Sequence, residues 1–427
     1  MKNTKGITLI ALIITIIVML ILVAVSISVA LNTGLFKSAG DATKNWKSAQ
    51  DAEANVGSEI KIGDKTYASI EDYLEGKEKL PEGAGKRFAE TKEYNDGTKT
   101  AWIPAGFTVS GIRGETTIEG GLVIYDIPDG STVDWDNKTI KLPSESETKE
   151  IKTAVNQFVW IPVEVNKATE PKDTETSIAS FKRNVWQDNA RVANNAQSST
   201  SFPSTSSAWS NYSEPNITND TATGIASQIE NLTKSIYKYG GFYIGRYEAG
   251  SETPRTSASK TERTPIGIKQ DMFPYNWVKW GESMSNIGKV GAVALSNSLY
   301  NSSNYGATSM LCTGACWDSM LDFIKDEEHN VTNSTKWGNY YNSETYKIYR
   351  GSLYSNSAWS TANTTAGTDV TKNKSILLTT GASEDNSAKN IYDVAGNCYE
   401  WTTESYSSDY RVRRGRQLLQ HWLWLSS

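Results

Sequence analysis

Asn390-Ile391-Tyr392-Asp393-Val394-Ala395-Gly396-Asn397-Cys398-Tyr399-Glu400-Trp401-Thr402, followed by Arg411-Val412-Arg413-Arg414-Gly415, is the stretch on which the reading of this chain turns. Thirteen residues set an Asp, two Asn, a Gly and a Glu against three aromatic rings. A helix or a plain strand has no use for that mixture, whereas a tight loop does. Gly396-Asn397 supplies a position of positive φ, and the carboxylates and amides are the hard oxygen donors that calcium prefers. The candidate ligands of a structural calcium ion are Asn390, Asp393, Asn397 and Glu400, with backbone carbonyls completing the shell. The alternative is a turn capped by the same side chains without metal. On either reading Tyr392 and Trp401 belong to the core.

The run resembles the N-x-Y-D-x-x-G-N-x-x-E-W-T signature of the formylglycine-generating enzyme (sulfatase-modifying factor) family, in which an R-V-x-R-G-G segment follows. Four earlier stretches resemble the same family in the same order. They are residues 157–163 (QFVWIPV), 241–248 (GFYIGRYE), 276–280 (NWVKW) and 309–318 (SMLCTGACWD). The resemblance spans roughly residues 91–415. It implies an α+β, irregular, loop-rich fold similar to C-type lectin domains, with 157–163 and 241–248 as core strands. It also implies a strand at 276–280 ahead of a core helix.

Working outward, 427 residues hold one large domain with appendages, or two domains. The 14 Trp and 21 Tyr suit a fold whose loops are pinned to a core by large rings. The 43 Lys+Arg against 48 Asp+Glu give a net charge of −5 without a dense basic stripe, which gives nucleic-acid binding no support. Two His provide no His-rich metal site. Three cysteines make no disulfide framework. Cys312 and Cys316 read either as two small buried thiols or as a labile disulfide, and Cys398 as a small packed side chain.

Residues 7–31 (ITLIALIITIIVMLILVAVSISVAL) carry no charge. As a helix they would rise ~37 Å, enough to cross a ~30 Å hydrocarbon core with some tilt. Lys2 and Lys5 precede the run and the next charge is Lys37. The positive-inside bias therefore predicts a single-pass membrane segment with the C-terminal domain outside the cell. A cleaved signal peptide with Ser28-Val29-Ala30 at the cut is the competing reading. Lys5-Gly6 before Ile7-Thr8-Leu9-Ile10 resembles the bacterial type IV prepilin N-terminus, which implies processing between Gly6 and Ile7. That family has Glu five residues after the cut, and this chain has Ala11 there. The omission favours a membrane anchor over a filament subunit. An exposed helical continuation is expected to about residue 55, then a linker or small subdomain over 56–90.

Short apolar runs marked by Gly and Pro at 101–109 and 121–125 predict strands. Residues 144–155 read as a short helix or a charged loop. The Ser/Asn/Thr-rich stretches 193–223, 295–305 and 352–374 predict surface loops. In 311–325, Trp317, Met320, Leu321 and Ile324 recur at i, i+3, i+4 and i+7, a one-sided core stripe, while Asp318 and Asp322 share another face.

The formylglycine-generating enzymes are oxidases whose copper-binding cysteine pair lies beyond the R-G-G segment. Thiolates suit Cu(I), and no cysteine follows Gly415 here, so copper is not expected in this chain and no catalytic residue is assigned. Residues 416–427 (RQLLQHWLWLSS) are apolar where the family is turn-rich. Read one base later, each Trp-Leu pair becomes a glycine codon, which predicts a frameshifted tail; an ordinary divergent C-terminus is the alternative. The functional expectation is a membrane-anchored, externally displayed, non-catalytic domain that recognises an extracellular peptide or glycan. The alternatives are an oxidase of that family truncated before its active-site cysteines, and a minor pilin-like subunit assembling with other pilin-like subunits.

Overall fold

The computed structural model describes residues 13–20, 22, 59–63, 65–165, 181, 185–192, 225–255, 265–281, 291–300, 305–374, 376–405 and 411–415. The chain divides into two compact units, Met1–Leu80 and Pro81–Ser427. The architecture is mixed α and β, with few helices and many small antiparallel sheets.

In the first unit, residues 13–20 and 22 are helical and exposed. Among the described residues no helix is long and apolar enough to cross a membrane. Gly6 and most of the apolar run, Ile7 included, lie outside the described residues, as do 193–223 and the tail 416–427. Further on, strands Ile60–Ile62 and Lys65–Tyr67 form a hairpin. Helix Ile70–Leu74 follows, its first turn capped by the Ser69 hydroxyl accepting from the Asp72 amide. Tyr67 meets Tyr73 edge to face at 5.2 Å.

The second unit is organised by a four-stranded antiparallel sheet in the order Gly241–Gly245, Gln157–Pro162, Val123–Tyr125, Thr108–Val109. Its side chains alternate between two apolar clusters, as the two-residue period of a strand requires. Val123, Tyr125, Val159, Ile161 and Phe242 enter one cluster. Ile124, Phe158, Trp160 and Tyr243 enter the other, with Tyr94, Ile103 and Tyr300. Both faces are therefore covered, which is why these strands read as continuous apolar runs.

Helix Gly314–Ile324 packs into the first cluster through Ala315, Trp317, Met320 and Ile324. The Thr313 hydroxyl caps it by accepting from the Cys316 amide at 3.0 Å. Such a cap contributes ~1 kcal/mol, whereas burying Met320 and Ile324 contributes ~1.5–3 kcal/mol each, so packing dominates. Asp318 is fully buried rather than on a solvated face, and the Trp186 indole donates to it at 3.4 Å. Cys316 is buried and Cys312 half-buried.

Helix Ile225–Tyr239 buries Ile225, Ile229 and Ile236. It ends at Gly240, whose φ of 76° supplies the left-handed exit into strand Gly241–Gly245.

Three expectations need correction. Residues 276–280 form no strand: Trp277 has φ 57°, which breaks an extended run. Residues 352–374 are not a plain loop. Ser352–Ser355 and Ala358–Thr361 pair across Asn356-Ser357, whose φ values of 52° and 66° suit a two-residue hairpin turn. Leu353, Ala362 and Val370 then enter a local core. Within 295–305, helix Ala292–Leu299 covers the first residues and buries Leu295. At 144–155 the chain forms strand Thr148–Glu150 and the short helix Ile151–Ala154.

Candidate functional site

The 390–400 loop is built from left-handed residues: Asn390 (φ 66°), Asp393 (60°), Gly396 (100°) and Asn397 (59°). Asn and Asp tolerate this region through local side-chain bonds, and glycine occupies it freely. At Gly396 a backbone neighbour adds to the requirement. The Asn339 amide donates to the Ala395 carbonyl at 2.8 Å and the Asn397 amide to the Asn339 carbonyl at 3.0 Å. A Cβ at Gly396 would overlap the Asn339 carbonyl. Gly396→Ala is therefore expected to lose about 2 kcal/mol or more in chemical denaturation, from strain and overlap together.

The four candidate calcium ligands divide into two groups. Asn390 accepts from Arg246 Nη2 at 3.3 Å and donates to the carbonyls of Gly121 (2.8 Å), Gly114 (2.9 Å) and Gly120 (3.2 Å). It faces a guanidinium, so a dication bound by Asn390 would stand against a fixed positive charge. Asp393, Asn397 and Glu400 lie on the other side of the loop, around Glu248. Asn397 donates to Glu248 Oε2 at 2.7 Å and to the Leu378 carbonyl at 3.2 Å. Its carbonyl oxygen accepts from the Leu378 amide (2.9 Å) and Asn339 Nδ2 (3.1 Å), which occupies both lone pairs. The side-chain oxygens of Asn390 and Asn397 are thus already engaged by protein donors.

The Arg246 side of the loop is a buried charge network. Arg246 is 1% exposed. Its Nη2 meets Glu115 Oε1 at 2.8 Å, and its Nη1 meets Gln157 Oε1 at 3.2 Å and the Tyr125 hydroxyl at 3.3 Å. Glu115 Oε2 accepts from the hydroxyls of Tyr125 (2.6 Å) and Ser110 (2.8 Å). The guanidinium also lies 5.6 Å from the ring centroids of both Tyr247 and Tyr392. Burial opposes ionisation of Glu115, but the Arg246 charge and hydrogen bond, Lys152 and Tyr125 outweigh it and hold the carboxyl below its usual range. The network ties together strands that are far apart in sequence.

The other side borders a cavity of about 160 Å³. Tyr275, Trp277, Tyr399 and Trp401 supply rings to its wall, and Glu248, Cys398 and Glu400 supply polar groups. Two indoles fix the frame: Trp401 Nε1 donates to the Val278 carbonyl at 2.9 Å, and Trp280 Nε1 donates to the Thr402 carbonyl at 2.8 Å. Strand Glu400–Ser405 pairs with Arg411–Arg414. There Arg414 makes a bidentate contact with Glu404, Nε to Oε2 at 2.7 Å and Nη2 to Oε1 at 2.5 Å. Arg413 is exposed and lies over the rings of Tyr399 (4.8 Å) and Trp401 (5.4 Å).

No family model, curated protein or solved structure matches this chain. What the cavity can do is therefore a question of its own groups. Burial raises the carboxyl of Glu248, and Asp393 adds to the effect. Burial likewise raises Glu400, with Glu248 and Asp393 adding. Burial pushes Asp393 up to about 7, against a backbone hydrogen bond from Gly381. Cys398 is raised by burial and then by all three carboxylates, which keeps it a neutral thiol and a poor nucleophile. Asp393 Oδ1 and Glu400 Oε2 are buried without a hydrogen-bond partner among the described residues.

Of the expected core residues, Tyr392 (4% exposed) and Trp317 (7%) are buried, while Trp401 is half-buried at the cavity. Sequence reading gave no role to Glu248 or Arg246. Both fall in the apolar-to-charged switch at the end of strand Gly241–Gly245, Arg246-Tyr247-Glu248, and that switch was the available signal.

Proposed function

We propose that this protein is a membrane-anchored recognition domain of the formylglycine-generating-enzyme type, built on a C-type-lectin-like fold and displayed outside the cell. The cavity beside Glu400 and Trp401 receives part of an extracellular peptide or glycan. The observation that carries this reading is the cavity itself. It abuts the loop bearing the signature, rings and aliphatic side chains line it beside a few polar groups, and the Cys398 thiol is held protonated. Aromatic walls with a few placed polar groups are the usual composition of a ligand site. The uncharged run at 7–31 supports the anchor, and the basic residues ahead of it support the outward orientation.

The test is to probe peptide and glycan arrays with the full chain in detergent, beside a Ser296→Phe variant. Ser296 lines the cavity, so a phenylalanine there fills it. The reading expects array binding that weakens at least about tenfold in the variant while the circular dichroism spectrum is retained. Binding that Ser296→Phe leaves intact would move the recognition site elsewhere. Array binding absent from the unaltered chain would overturn the reading.

A further inference from the structure

We propose that the cavity captures the C-terminal residue of a peptide, an apolar side chain entering it and the α-carboxylate meeting the Arg413 guanidinium at its mouth. The inference rests on the reading that this cavity is the ligand site, and adds which part of the ligand enters it and what charge that part carries.

Arg413 decides the charge. It is exposed and lines the cavity, which sets it at the opening. Among the described residues it has no ion pair and no hydrogen bond, whereas Arg246, Arg350 and Arg414 each hold a carboxylate. Its contacts are with two rings of the wall, Tyr399 and Trp401. Trp401 faces Arg413 directly across the strand pair and is itself fixed by its bond to the Val278 carbonyl. A guanidinium laid over rings keeps its N–H edge available, and a side chain already held in place loses less freedom when an anion arrives. Its planar fork matches a carboxylate through two parallel bonds.

The carboxyls nearby do not cancel this charge. Glu400 pairs in register with Arg414 and Trp401 with Arg413, so strand alternation sets Glu400 on the other face from Arg413. Glu248 Oε2 accepts from Asn397 and Oε1 from the Cys398 amide at 3.1 Å, while Glu400 Oε2 is buried. Burial and mutual repulsion also hold both carboxyls toward the neutral form. The mouth therefore presents positive charge.

The interior selects the rest of the ligand. Beyond the rings its wall is aliphatic, with Ile266, Val278, Leu295 and Leu311. Its volume of about 160 Å³ is close to the ~150 Å³ of an apolar cavity that holds a benzene molecule, so one leucine or phenylalanine side chain fits. A sugar ring would press hydroxyls against aliphatic groups, at a cost for each one left unpaired. An internal Asp or Glu side chain would bring the charge and leave the interior unfilled. A C-terminal apolar residue carries both groups on one Cα, and backbone-end carboxylates are a recurring handle in peptide recognition.

The experiment titrates the full chain in detergent with an N-acetylated hexapeptide ending in leucine, its C-terminal amide, the same peptide ending in glycine, and glucuronate. Binding is read by calorimetry and tryptophan fluorescence. Expected is saturable binding of the leucine acid, about tenfold or more tighter than either the amide or the glycine acid. Arg413→Gln should remove the preference for acid over amide, and Ser296→Phe should remove binding of both. Arg413 is exposed, so its replacement leaves the core untouched and is expected to fold. Equal binding of acid and amide overturns the inference, as does equal binding of the leucine and glycine acids, or an acid preference that survives Arg413→Gln. Glucuronate binding without peptide binding overturns it in favour of an acidic sugar. Array binding that Ser296→Phe abolishes, but that acids and amides share equally, would sink this inference and leave the recognition reading standing. Blank arrays with no peptide binding in solution would sink the recognition reading itself.

Discussion

Replacing Arg246 with leucine is expected to lower the unfolding free energy by about 3–5 kcal/mol, the range for breaking a buried ion pair from one side. The loss comes less from the attraction removed than from what stays behind. Glu115 is 3% exposed and would keep the Tyr125 and Ser110 hydroxyls but lose its close cation, leaving Lys152 at 3.7 Å, itself partly buried. Gln157 Oε1 and Asn390 Oδ1 would each lose a donor as well. The signature loop would therefore loosen at its Asn390 end. Denaturant titration of Arg246→Leu, Glu115→Gln and the double variant measures this directly. The double variant should recover a sizeable part of the loss, because no unpaired charge remains buried. Strictly additive losses would show that the pair does not act as a unit.

Acidification from pH 8 to pH 5 is expected to raise the melting temperature. Asp393 is pushed from 3.8 to about 7 in the folded protein, so between those values the folded state holds a proton the unfolded chain has released. The stability this contributes is fully present below pH 3.8 and is lost as pH rises through 7. About three units at ~1.4 kcal/mol each set an upper bound of roughly 4 kcal/mol. Glu248 and Glu400 are raised by the same burial and repulsion and push the same way. Glu115 has the opposite sign: its carboxyl is depressed, so its contribution is present above the unfolded value of 4.5 and is lost on further acidification. The gain on acidification therefore continues through pH 5, and Glu115 offsets it only below about 4.5. Asp393→Asn should flatten the slope between pH 5 and pH 8. An unchanged slope in that variant would exclude Asp393 as its source.

How much of this was legible in the sequence depended on how local the determining contacts are. The Gly314–Ile324 helix was readable because Trp317, Met320 and Ile324 fall on one stripe. The Gln157–Pro162 strand and the left-handed loop at Gly396-Asn397 were readable for similarly local reasons. Helix Ile225–Tyr239 carries its own signal, Ile225, Ile229, Leu232 and Ile236 on one face, but it follows a Ser/Asn/Thr-rich stretch that obscures its start. The 352–374 hairpin was missed because only a few apolar residues among Ser and Thr suffice to build its local core. Trp277 was misassigned because nothing local announces a tryptophan at φ 57°.

For the site, sequence supplied Asp393, Asn397 and Glu400 because they sit in one loop. Glu248 belongs to the same cluster through tertiary contact alone, and Arg246 draws Asn390 away from it in the same manner. The two ends of one short motif therefore meet different neighbours, Arg246 at Asn390 and Glu248 at Asn397.

The reciprocal indole bonds, Trp401 to the Val278 carbonyl and Trp280 to the Thr402 carbonyl, have a consequence for how such a wall can change over time. Each segment holds the other by its own ring, so neither can slide along its partner without releasing both. A cavity framed in this way does not adapt to new guests by hinging. It adapts by exchange of the side chains set into a fixed backbone, as tiles are exchanged in a standing frame, and Tyr275, Trp277, Tyr399 and Arg413 are the tiles whose replacement alters the occupant while the frame persists.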